Sequence, residues 1–183
     1  LQVLNSVDTV ITNTRGFAMT AAQVGTLEIQ PGLQIVQSVT AVNLPAGATF
    51  RLAGGGELFL SGNTTLVSST AAGGFIQIAG GSTLAANNTT ADAFAFTGTF
   101  ANNLQINGGT LRLDANLANN MTVSSGTLNV NGGANIVLNS AATSNDAQIT
   151  FTNLTRSNQG TLVITVANAG SALGGGTLAD GIA

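Results

Sequence analysis

The chain contains no His, Cys, Trp, Tyr or Lys, and its only charged residues are four Arg and seven Asp or Glu. These absences remove the imidazole base, the thiol and amine nucleophiles and the soft metal ligands on which most enzymes depend. We therefore expect a protein that is not an enzyme and that uses no cofactor and no metal ion.

The charge and hydropathy patterns exclude two further classes of partner. The net charge is −3, and the four Arg are far apart in the sequence, so no basic stripe is available to bind nucleic acid. No apolar run approaches the ~18 residues that a membrane-spanning helix needs.

Neither an initiator Met nor a leader-like segment begins the sequence, so we expect a processed product or an internal piece. The lack of Cys leaves the redox compartment open.

Small and uncharged polar residues dominate the chain, with 27 Ala, 25 Thr, 24 Gly and 20 Asn. The sequence contains a repeat. In each copy, a Gly pair is flanked on both sides by a short arm, a segment in which apolar and polar residues alternate. The pattern is apolar-x-apolar, Ala or Asn, Gly-Gly, then a second alternating arm. Its first Gly falls at Gly54, Gly80, Gly108 and Gly132, and a weaker copy contains Pro31 and Gly32.

Period-two alternation predicts that both arms of the repeat are β-strands. The Gly pairs supply the positive φ angles of a tight corner, although Asn-Gly is also a signal for the tip of an antiparallel hairpin. Residues 65–67, 94–96 and 121–123 add a third strand-like piece between corners. Three strands and about 22–28 residues per repeat are typical of one coil of a parallel solenoid.

The sequence therefore predicts an all-β, right-handed parallel β-helix (β-solenoid), with an antiparallel β-sandwich as the alternative. We expect an N-terminal cap or edge strand over residues 1–24, the solenoid over 25–166, and a Gly-rich extension or unfinished coil over 167–183. Two inward columns should fill its core. The column before the corner contains Leu52, Ile78, Ile106 and Val130, and the column after it contains Leu58, Leu84, Leu111 and Ile136.

Three Gly-Thr-Leu phrases, at residues 109–113, 126–130 and 160–164, resemble those of the β-helical passenger domains of bacterial autotransporters. The rickettsial type of surface autotransporter is the most similar in composition, and the resemblance covers residues 25–166. It implies a secreted solenoid that acts as an adhesin or a stalk at the cell surface. S-layer proteins, filament subunits and phage tail fibres use similar phrases, and this chain carries no autotransporter barrel.

Carboxylates are the only side chains left for acid–base chemistry or for hard metal ions. Stacking of Asp92, Asp114 and Asp146 on one side of a solenoid would resemble a glycosidase site, but the basic and most of the aromatic groups that hold a sugar are missing. We expect the acids to be isolated solubilising or turn residues. Calcium binding is not expected, because no Gly-Gly-x-Gly-x-Asp repeat occurs.

Phe94, Phe96 and Phe100 cluster in the sequence and form a candidate interaction patch, or else fill one wide layer of the core.

We expect a non-catalytic, extracellular structural or adhesive segment of a bacterial surface protein, whose partner is a host-cell or neighbouring surface protein. A self-assembling subunit of an S-layer, fibre or filament is the alternative, and a carbohydrate-processing β-helix is the second. Because stacked coils end in unpaired edges, residues 147–183 should contact a further domain or a neighbouring copy.

Overall fold

A computed structural model describes residues 2–3, 10–13, 22–37, 42–44, 47–62, 66–68, 75–88, 104–115, 121–139, 147–167 and 181–182. These residues form strands joined by short corners, and no helix occurs among them. The strands are β1 (Gln2–Val3), β2 (Val10–Asn13), β3 (Val24–Ile29), β4 (Gln34–Gln37), β5 (Val42–Leu44), β6 (Thr49–Ala53), β7 (Glu57–Gly62), β8 (Leu66–Ser68), β9 (Phe75–Ala79), β10 (Thr83–Asn88), β11 (Leu104–Asn107), β12 (Gly109–Asp114), β13 (Met121–Asn139), β14 (Ala147–Ala167) and β15 (Gly181–Ile182).

Every strand pairing among the described residues is parallel, and the partner lies about one repeat further along the chain. Parallel pairing of neighbouring repeats is the arrangement of a β-solenoid, in which each coil contacts only the coils above and below it. The predicted fold class is therefore confirmed. The antiparallel sandwich and the hairpin interpretation of the Gly pairs are wrong.

The described strands fall on three faces that follow one another along the chain in a fixed order. Face one consists of β1, β3, β6, β9, β11, residues 127–131 of β13 and residues 153–157 of β14. Face two consists of β2, β4, β7, β10, β12, residues 133–139 of β13 and residues 161–167 of β14. Face three contains β5, β8, residues 121–125 of β13, residues 147–151 of β14 and β15. β13 and β14 thus each carry all three segments of one coil.

The core consists of apolar side chains that stack in register from coil to coil. Leu52, Ile78, Ile106 and Val130 are consecutive register partners on face one, and Leu58, Leu84, Leu111 and Ile136 are consecutive partners on face two. All eight are buried. Both predicted columns are therefore confirmed, residue by residue. Period-two alternation turns these residues inward and leaves their neighbours on the outer surface.

The corners between faces one and two depend on the backbone freedom of glycine. Positive φ angles occur at Gly54, Gly80, Gly108 and Gly132, which are the first glycines of the four predicted corners. Gly109 follows a corner for a different reason, because a Cβ there would lie 2.6 Å from Ile78 Cγ2. The close approach of two coils at this point leaves no room for a side chain.

Strand pairing extends on both sides of the predicted solenoid range. β1 and β2 pair with β3 and β4, and β15 pairs with the start of β14. The boundaries at residues 24 and 167 stay predictions, but the described strands on either side belong to the same parallel sheet. Within the described part of the chain, no helix has the length and hydrophobicity of a membrane span.

Candidate functional surface

Uncharged polar side chains form a ladder along the outside of face one. Gln77, Gln105, Asn129 and Thr155 are consecutive register partners. Nε2 of Gln77 donates a hydrogen bond to Oε1 of Gln105 over 3.0 Å, and the Thr155 hydroxyl donates one to Oδ1 of Asn129. Since neighbouring strands lie about 4.8 Å apart, like groups recur along the axis at that spacing. Face one therefore presents a regular row of donors and acceptors.

The corner beyond this row continues the ladder near the last described coil. Nδ2 of Asn158 donates a hydrogen bond to Oδ1 of Asn131 over 3.0 Å. Asn158 has a φ of 49°, in the left-handed region that Asn tolerates better than most residues. Asn thus both turns the chain and links two coils at this corner.

Face two carries a charged cluster that joins four strands. The Arg112 guanidinium donates two hydrogen bonds to the Glu57 carboxylate, from Nη1 at 2.8 Å and from Nη2 at 3.1 Å, and its Nε donates to Asp114 at 2.8 Å. Gln34 Nε2 donates to Glu57 at 2.6 Å, and Asn139 Nδ2 donates to Asp114 at 2.5 Å. The cluster is a continuous polar bridge from β4 and β7 to β12 and β13.

Arg112 reaches Glu57 by crossing an intervening strand. β10 lies between β7 and β12, and its Ala85 is the register partner of both Phe59 and Arg112. Ala85 faces outward but has no exposed surface, because its neighbours close over it. A small side chain at this position leaves the path from Arg112 to Glu57 open. The aliphatic stem of an arginine can cover apolar surface while its charged end stays polar.

The surroundings of Arg112 keep its charge fixed. Burial of the guanidinium by itself lowers the pKa of Arg112, but the hydrogen bonds and negative charges of Glu57 and Asp114 outweigh that effect, and the pKa is raised overall. Arg112 therefore stays protonated wherever the fold is stable. The charge of Arg112 is compensated within the cluster, and the ion pairs and hydrogen bonds of the cluster link neighbouring coils. A shallow, open recess beside Glu57 lies next to Gly32 and Thr83.

Two of the acids that were expected to be isolated are paired with Arg112. Glu57 and Asp114 both form ion pairs with Arg112. In the ladder, Asp114 lies between Asn87 and Asn139, so no carboxylate occupies either adjacent register position. Asp92 and Asp146, the other members of the proposed stack, lie outside the described residues. No group of three Asp or Glu that could hold a metal ion occurs in the part of the chain that the structure describes.

The candidate patch of Phe94, Phe96 and Phe100 also lies outside the described residues. The Arg112 cluster, in contrast, is a feature that sequence reasoning missed. The register between coils was the feature of the sequence that could have predicted this cluster. The Gly-pair alignment puts Glu57 and Thr110 at equivalent positions, and Arg112 is the next outward residue after Thr110. A long side chain two coils away then lies within reach.

Comparisons of this chain with protein-family models, with curated proteins and with solved structures find no match.

Proposed function

We propose that this chain is a non-catalytic, extracellular structural or adhesive segment of a bacterial surface protein, which presents or extends a β-solenoid surface. One observation carries the proposal. Apolar columns fill the interior, while the outside of face one bears a row of hydrogen-bonding groups in register. Such a surface offers repeated contacts to a partner, and each added coil lengthens it without altering the fold.

The charge distribution supports a presenting role over a catalytic one. Arg112, Glu57 and Asp114 satisfy one another in the cluster on face two. An acid–base site instead needs groups aimed at a substrate, with environments that push their pKa values apart. The resemblance of the Gly-Thr-Leu phrases to bacterial passenger domains supports the extracellular location and a host-cell or neighbouring surface protein as the partner.

A self-assembling subunit of an S-layer, fibre or filament is the second candidate. The observation that favours it is the edge of β14 on face two, where Val163 has 54% of its surface exposed and no described strand pairs on the outer side. Exposed strand edges are sites of pairing between copies. The oligomeric state separates the two candidates, because a presenting segment stays monomeric and a subunit polymerises.

Surface labelling tests the location directly. Antibodies raised against the purified chain should bind intact cells of the source organism. Labelling that appears only after the cells are made permeable would overturn the proposal.

Binding of the purified chain to host cells tests the adhesive role. We expect saturable binding that falls when Gln77 and Gln105 are both replaced by Ala, because the substitutions interrupt the row on face one. The matched control replaces Thr83 and Thr110, which are outward residues of face two. Equal loss of binding in both variants would contradict recognition through face one. If the chain is found at the cell surface but does not bind host cells, only the structural role remains.

A further inference from the structure

Among the described strands, the last residue in the inward column of face one is the positively charged Arg156. Ile78, Ile106 and Val130 are fully buried, and each is stacked on an equivalent apolar residue of the next coil. The next register partner after Val130 is Arg156, which is exposed. Arg156 therefore takes the register position that aliphatic residues hold in the preceding coils.

The same segment of β14 exposes apolar surface that its counterpart in β13 buries. Leu154 is the register partner of Leu128, and the exposed fractions are 54% and 1% respectively. Among the described strands, residues 153–157 pair only with β13. An exposed edge with apolar side chains is a template on which a further strand can stack. Something must therefore discourage stacking here if the chain is to remain a single molecule.

The corner that follows binds the Arg156 side chain. Its Nε donates a hydrogen bond to the carbonyl oxygen of Gly160 over 2.7 Å. Gly160 is buried, and a Cβ at this residue would lie 2.7 Å from the Val130 carbonyl oxygen and 3.0 Å from Val130 Cγ1. The corner thus folds back against Val130, and Arg156 is bound to that corner.

We propose that Arg156 prevents a second copy of this chain from stacking a strand on this edge of face one. A strand of face one added in register would cover the guanidinium with an apolar inward residue, such as Leu27 or Leu52, and would remove it from water without supplying a carboxylate. Burial of an uncompensated charge is strongly unfavourable. Inward-pointing charges are among the devices by which natural sheets block pairing at their edges.

This inference goes beyond the proposed function, because it concerns the exposed edge of β14 and not the surface that binds a partner. It holds whether or not the chain is an adhesin. It also excludes face one from the predicted contact of residues 147–183 with a further domain or a neighbouring copy. Such a contact would then use faces two and three.

The test is Arg156→Val, which places at this position the residue that Val130 supplies one coil earlier. The matched control is Arg51→Val, which makes the same change of charge at an exposed outward position of the same face. Sedimentation velocity of both full-length variants and the parent chain, over a wide range of concentration, measures self-association. Circular dichroism checks that each variant keeps its β-structure.

We expect Arg156→Val to self-associate at least about tenfold more tightly than the parent, while Arg51→Val behaves like the parent. Arg156→Lys keeps the charge and should stay monomeric. If Arg156→Val does not fold, Arg156→Thr removes the charge with a residue that favours strands, and it should also self-associate. Equal association of the folded Arg156 and Arg51 variants would overturn the proposal. So would a parent chain that polymerises as readily as the charge-free variant.

Discussion

Replacement of Ile106 by Ala tests the packing of the inward column at its centre. The Ile106 side chain is fully buried between Ile78 in one coil and Val130 in the next. Because ladder hydrogen bonds hold both neighbouring coils, we expect little collapse into the space that the substitution leaves. The variant should therefore lose stability through both the lost burial and the cavity.

The magnitude follows from those two contributions. The substitution removes three carbon atoms, and at about 0.8 kcal/mol for each buried methylene the transfer contribution is roughly 2.4 kcal/mol. The cavity adds to this, and the range for such substitutions is ~2–5 kcal/mol. In a solenoid, the loss also weakens the interfaces with the coils on both sides. We expect a value within that range for the free energy of unfolding.

Urea denaturation, followed by circular dichroism, measures this change. The matched control is Gln105→Ala, which alters the adjacent outward residue and removes its hydrogen bond with Gln77. Loss of that bond should cost only about 0.5–1.5 kcal/mol. If Ile106→Ala destabilises the chain no more than Gln105→Ala does, then Ile106 does not fill the core, and the column on face one is wrong.

Three further experiments test the charged cluster and the corners. In a double-mutant cycle, Arg112→Ala and Glu57→Ala should show a coupling free energy of roughly 0.5–1 kcal/mol in denaturation experiments, since the pair is partly exposed. Additive effects would contradict a stabilising link between Arg112 and Glu57. Thermal unfolding should show Gly109→Ala destabilised by about 1–3 kcal/mol, because its Cβ meets neighbouring coils, whereas Gly133→Ala has open space and should be neutral; equal effects would refute this. Ser82→Ala should cost about 1–3 kcal/mol, because the Gly55 N–H loses its acceptor at 3.0 Å, and an unchanged midpoint would contradict that role.

The solenoid could be predicted because its determinants are local and repeated. Alternation around Ile78 and Ile106 defines the inward face, and Gly80 and Gly108 define the corners. Once one coil is aligned with the next, register follows from the alignment. The residues that fill the core are then known without any knowledge of distant contacts.

The outer features could not be predicted in the same way, because they depend on side chains that cross coils. Arg112 reaches Glu57 across a strand that carries the small residue Ala85, and no repeat of the sequence encodes that combination. The position of Arg156 in the inward column depends on the register of β14 with β13, which the unusual corner at Asn158 obscures in the sequence. Single exceptions to a repeat are visible only when the coils are stacked.

Parallel stacking in register is the central claim, and the absence of native Cys allows a direct test by disulfide formation. Gln77→Cys combined with Gln105→Cys places two thiols on register partners, whose Cα atoms should lie about 4.8 Å apart, within the range that a disulfide spans. Gln77→Cys combined with Asn107→Cys is the control, because the second Cys is then two residues out of register on the same face. Thiol titration after mild oxidation should show rapid loss of both thiols in the first variant and slow loss in the control. Equal rates, or faster oxidation of the control, would contradict the register on which the whole account depends.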